Sequence, residues 1–141
     1  SHFTLAPTSP QKSLLLLGDG NTVSLTDLTL DGEFSFFHAK LLTLSACQTA
    51  LSGRRADGRE VDSLAALVQD AGVPAVLASL WSVSDASTAK MMREFYKAWL
   101  GDGQDKARAL QSAKIALLDD PGKKFAEPFF WSAFLVLGDG R

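Results

Sequence analysis

The chain has 141 residues, 46% of them hydrophobic and 21% charged, with a formal net charge of −2; it can bury the core of one domain and does not have the composition of a disordered segment. That balance offers no general polyanion-binding surface, and Arg54-Arg55 and Lys123-Lys124 are only pairs, so nucleic acid is not an expected partner. The single cysteine excludes an intrachain disulfide and a cysteine-rich zinc site, and no apolar run approaches the roughly 20 residues of a membrane span.

Residues 1–13, with two prolines and few apolar side chains, read as a loop. Leu14-Leu-Leu-Leu17, Gly18-Asp-Gly20 and Val23-Ser-Leu25 read as two short strands around a tight turn, since Asp-Gly readily supplies the positive φ angles of hairpins. No helix start follows these glycines, so they are turn residues and not a phosphate cradle. After a polar link comes Leu41 to Ala46, an apolar run of the kind found in strands buried on both faces. It stops at Cys47, and the Gly-, Ser- and Arg-rich segment Leu51 to Glu60 beyond it reads as an exposed loop.

Leu64, Leu67 and Val68 fall at helical spacing between Asp62 and Ala71, and Gly72 suits a left-handed helix end. Pro74 to Leu80 is a second buried strand. Ser84 or Asp85 can cap a helix running to about Leu100 with Met92, Phe95 and Trp99 on its apolar stripe. A further helix spans about Gln104 to Leu118, Asp119-Asp-Pro-Gly122 stops it, and Phe129-Phe-Trp131 leads into a last strand, Phe134 to Leu137. Strands alternating with helices predict an α/β sheet, largely parallel, with helices on both faces.

Ligands of open α/β sheets bind beyond the carboxyl ends of the strands, which is where Cys47 falls. It can be a nucleophile or a space-filling core thiol. His38 precedes Cys47 by nine positions, about 30 Å along a straight strand, so it cannot pair with the thiol and reads as a surface or packing histidine. His2 lies 45 residues upstream, close to the spacing of about 50 in caspase-type peptidases. An imidazole there can take the thiol proton, steady the thiolate and protonate the leaving amine; alternatively His2 is an ordinary terminal residue.

The run Leu41-Leu-Thr-Leu-Ser-Ala-Cys47-Gln-Thr-Ala50, then Asp57-Gly-Arg-Glu60, Ala71 to Asp85 with its Leu80-Trp-Ser-Val-Ser-Asp85, Thr88, Phe95-Tyr96 and Pro128-Phe-Phe-Trp131-Ser-Ala-Phe134 resembles the CHAT domain. CHAT domains are caspase-like cysteine peptidase domains, similar to separases and gingipains and often attached to tetratricopeptide repeats. The resemblance runs from His2 to about Gly138. It implies a caspase-like three-layer α/β/α fold with a mostly parallel sheet, a single domain over 1–141, no cofactor and a protein or peptide substrate. It also implies that the strand leading to the histidine lies upstream, so residues 1–141 are expected to be the carboxyl-terminal part of the fold, with repeats or a regulatory partner before it.

By the same resemblance Cys47 is the nucleophile and His2 its catalytic partner. The backbone N–H groups of Cys47 and Phe3 form the oxyanion site, and Asp85 sits in the pocket for the residue before the scissile bond, where it favours arginine or lysine. Asp85 can equally serve the start of its own helix. Glu60 and Asp62 are secondary pocket candidates or simply acids near a helix start. The chain departs from the family pattern twice: Phe3 stands where glycine usually follows the histidine, and Glu127 where a histidine usually precedes the late aromatic stretch. The expected activity is cytoplasmic cysteine endopeptidase cleavage after a basic residue, and the alternative is a catalytically silent scaffold or signalling module.

Overall fold

A computed structural model describes residues 2–4, 14–16, 19–24, 27, 38–44, 69 and 72–141. Two three-stranded sheets are present among them. The first is an antiparallel meander of β1 (His2–Thr4), β2 (Leu14–Leu16) and β3 (Thr22–Ser24) in that order. Leu16 pairs with both His2 and Thr22. The predicted hairpin of β2 and β3 is there, with Gly20 at φ +87° and Asp19 receiving the backbone N–H of Asn21 at 2.9 Å. That bond, joined by one from the Asn21 side chain, holds the Asp19 carboxyl below its ordinary pKa. The loop expected over residues 1–13 needs correction at its start, because His2–Thr4 is a strand. Phe and Thr suit a pleated strand, and the ladder to β2 is a non-local pairing that composition does not register.

The second sheet has the order β4 (Leu42–Leu44), β5 (Ala75–Ser79), β6 (Phe134–Gly138). The β4–β5 ladder is parallel and β5–β6 is antiparallel, so this sheet is mixed where a mostly parallel one was expected. The reversal follows from the connection. A single crossover helix returns the chain for a parallel strand, but here two long helices intervene. They are α1 (Asp85–Tyr96), continued by one π-helical turn at Lys97–Gly101, and α2 (Lys106–Leu118). The second helix carries the chain back to the edge where β5 ended. There α3 (Pro128–Trp131) starts β6 in the opposite direction. Aromatic residues 129–131 were expected simply to lead into the strand. Pro128 opens a helical turn instead, its fixed φ being preset for a first helical position.

All five residues of β5 are buried. Side chains alternate between the faces of a strand, and Leu77 faces a core shared with Met91 and Phe95 of α1, Ala109, Leu110, Ala113 and Leu117 of α2, and Phe134 of β6. Val76 and Ala78, on the other face, are buried outside that cluster. The helices start on side-chain caps: Ser84 accepts from the Ser87 N–H at 3.2 Å, and Asp105 accepts from the Arg108 N–H at 2.7 Å. Gly72 has φ +89° and its N–H donates to Gln69 O at 2.9 Å; the helix expected from Asp62 to Ala71 lies, apart from Gln69, outside the described residues. Gly138 is more demanding. Its φ is +87°, and any Cβ there would run into the Pro74 carbonyl and the Gln69 side chain.

Candidate active site

Because β4 and β5 are parallel, their carboxyl ends point to one edge of the sheet, the edge where α/β sheets bind ligands. Two described segments meet there. From β5 the chain passes through Leu80 to Ser84 into α1. From the antiparallel neighbour, α3 arrives just before Phe134, which pairs with Ser79, the last residue of β5. β4 itself ends at this edge with Leu44; in the sequence Cys47 follows three residues later, outside the described residues.

Asp85 is exposed in the first turn of α1. The cap is Ser84 and not Asp85, so the carboxylate donates no side-chain cap to the helix and is limited to a favourable interaction with the helix dipole. It therefore stays available at this edge. Beside it, Leu80 N–H donates to Ala133 O at 2.8 Å and the Trp81 indole N–H donates to Phe129 O at 3.0 Å. The Trp81 and Phe129 rings lie 6.3 Å apart, and Phe129 is 51% exposed. An aromatic shelf thus borders the edge next to the acid. Trp81 belongs to the Leu80–Asp85 stretch that resembles the CHAT domain, but nothing local in the sequence pairs it with a phenylalanine 48 residues away. Among the described residues, the buried hydroxyls of Ser79 on β5 and Thr88 on α1 have no hydrogen-bond partner.

The other expected site residues fall as follows. The backbone of His2 and Phe3 lies in β1, in the meander, opposite Leu16 and Leu15. Cys47, Glu60 and Asp62 lie outside the described residues. His38 is exposed ahead of β4, which suits its reading as a surface histidine. Among the described residues, no group of three or more histidine, cysteine and carboxylate side chains is placed to hold a metal ion, and no helix is long and apolar enough to cross a membrane.

Fold and edge together define an α/β domain in which a parallel strand pair and an acid-bearing helix start converge on one rim. Comparison with family models makes the assignment specific: the CHAT domain model matches residues 1–139, and the chain belongs to the CHAT family, whose general kind is the caspase-like cysteine peptidase. A search of curated proteins found no match.

Proposed function

We propose that the chain is a cysteine endopeptidase domain of caspase-like three-layer architecture that cleaves proteins after arginine or lysine. The observation that carries this reading is the family match over residues 1–139, which includes both His2 and Cys47. In the proposed mechanism His2 takes the Cys47 proton and the thiolate attacks the scissile carbonyl. The N–H groups of Cys47 and Phe3 receive the developing oxyanion. His2 then gives its proton to the departing amine as the C–N bond breaks, and water hydrolyses the resulting thioester. Asp85 pairs with the basic side chain before the cleaved bond, with Glu60 and Asp62 as further acids for that pocket. Its exposure at the strand edge, with capping left to Ser84, supports that role. A reducing cytoplasmic setting suits an obligatory thiol, and upstream repeats or a regulatory partner would control access.

The test is hydrolysis of an arginine-containing peptide. Cys47→Ala is expected to lower kcat by at least about 10³-fold, as loss of a nucleophile does. Asp85→Asn is expected to lower kcat/KM for arginine substrates by roughly tenfold or more, the scale of one charge-assisted bond, with fold stability changed by no more than about 1 kcal/mol. Hydrolysis by Cys47→Ala equal to that of the unmodified protein would overturn the enzyme reading. Phe3, in place of the family's usual glycine, favours the silent scaffold as the second reading, and that outcome would select it.

A further inference from the structure

The strand that leads to Cys47 is tied to α1 by one side-chain bond: Thr43 Oγ1 and the Tyr96 hydroxyl lie 2.7 Å apart, either able to donate. Thr43 is the one polar residue of Leu41-Leu-Thr-Leu44. Its neighbour across the ladder is the fully buried Leu77. A hydroxyl on that apolar face is costly unless it is partnered, and Tyr96 is the partner. The tyrosine ring is itself held: it meets Phe95 edge-on at 5.2 Å and Trp99 at 6.0 Å. Trp99 reaches it from the π-helical turn that begins at Lys97. Such turns occur mostly as single inserts in α-helices, frequently at functional sites.

The placement of this bond gives it leverage. Thr43 precedes Cys47 by four residues, so covalent geometry keeps their Cα atoms within about 14 Å. Tyr96 follows Asp85 by eleven residues, about 16 Å along a helix. A single hydroxyl pair therefore links the middle residue of the strand that precedes the proposed nucleophile to the C-terminal end of the helix that carries the proposed pocket acid. Among the described residues, β4 has only the β5 ladder to fix it within the sheet. The Tyr96 bond adds a tether from the helix layer.

We propose that the Tyr96 hydroxyl is a positioning group: through Thr43 it fixes the height at which β4 presents Cys47 relative to Asp85. The proposal rests on the peptidase reading above and predicts a loss of alignment, which acts on the transition state more than on substrate binding. Tyr96→Phe and Thr43→Val are each expected to lower kcat by roughly tenfold, the rate equivalent of one part-buried hydrogen bond, with KM little changed. Combining them should cost no more than either alone, and Thr43→Ser, which keeps the hydroxyl, should restore the rate.

A second readout does not need turnover. Trypsin cuts after Lys40 and Arg54, so the peptide Leu41–Arg54 reports iodoacetamide alkylation of Cys47 alone. The pH at which alkylation reaches half its maximal rate is expected to rise in Tyr96→Phe and Thr43→Val, because a misplaced thiolate loses the imidazolium that steadies it. It should stay unchanged in Thr43→Ser. The proposal is overturned if Tyr96→Phe matches the unmodified protein in both readouts, or if Thr43→Ser is as impaired as Thr43→Val. Failure of the peptidase reading looks different: Cys47→Ala would then hydrolyse the peptide as the unmodified protein does, whereas failure of the brace alone leaves Cys47→Ala inactive and Tyr96→Phe fully active.

Discussion

The two sheets are held by unlike means. In the β4–β5–β6 sheet the central strand is wholly buried, and α1 and α2 close over it with a core that includes the fully buried Met91, Phe95, Ala113 and Leu117. In the β1–β2–β3 meander, Val23 is the buried apolar residue among the described side chains, while Leu14 and Leu16 are 40% and 38% exposed. Among the described side chains, the first sheet removes far more apolar surface from water than the second. The difference matters for chemistry, because the proposed histidine belongs to the meander and the proposed pocket acid to the packed body.

The largest test of this contrast is a pair of truncations. Phe95 is 0% exposed and packs on Tyr96 and Trp99, so Phe95→Ala is expected to cost about 3–5 kcal/mol, seen as a lower denaturant midpoint. Leu16→Ala on the meander is expected to change stability by no more than about 1 kcal/mol, nearer the surface range. Equal losses would show that the meander is packed as firmly as the body.

A smaller effect sharpens the body's side of the comparison. Ser84 accepts the Ser87 N–H at 3.2 Å, while the Ser84 carbonyl accepts from the Ser87 hydroxyl at 2.8 Å and the Thr88 N–H at 3.0 Å. Ser84→Ala keeps the carbonyl and removes the cap together with the 2.9 Å bond between the Ser84 and Ser87 hydroxyls, at an expected cost of about 1 kcal/mol in chemical denaturation. No loss would mean that the start of α1, and with it Asp85, is fixed by its tertiary contacts alone.

What could be read from the sequence follows the same division. The strand expected over Pro74 to Leu80 is Ala75–Ser79, and the helix expected to about Leu100 is α1 plus its π turn. The first is a short continuous apolar run after Gly72 and Pro74, the second a long amphipathic segment with a local cap, so local rules suffice. β1 escaped because three residues carry no period and their ladder depends on a partner about twelve positions away. α3 escaped because Phe129-Phe-Trp131 favours a strand by composition, while Pro128 and the turn around it decide otherwise. At the site, Asp85 was legible as either cap or pocket acid, and Ser84 takes the cap. The Thr43–Tyr96 bond spans 53 residues and left no local trace beyond a lone hydroxyl in an apolar strand.

The smallest effect concerns how the two long helices are closed against each other. Lys90 on α1 donates to the Asp120 carboxylate, just past the end of α2, and both side chains are largely shielded, at 19% and 18% exposure. The Lys90 bond holds the Asp120 carboxyl below its ordinary pKa, assisted by the charges of Lys90 and Lys124. A carboxyl whose folded pKa is depressed contributes stability above its unfolded pKa, near 3.9, and loses that contribution as pH falls through the folded value. Asp120→Asn is therefore expected to be less stable than the parent protein at neutral pH, with the gap closing as the medium is acidified below about pH 4. Thermal melting of both proteins across that range checks it. A gap that persists unchanged at low pH would assign the loss to the geometry of the turn, leaving the ion pair no part in bracing α1 against the end of α2.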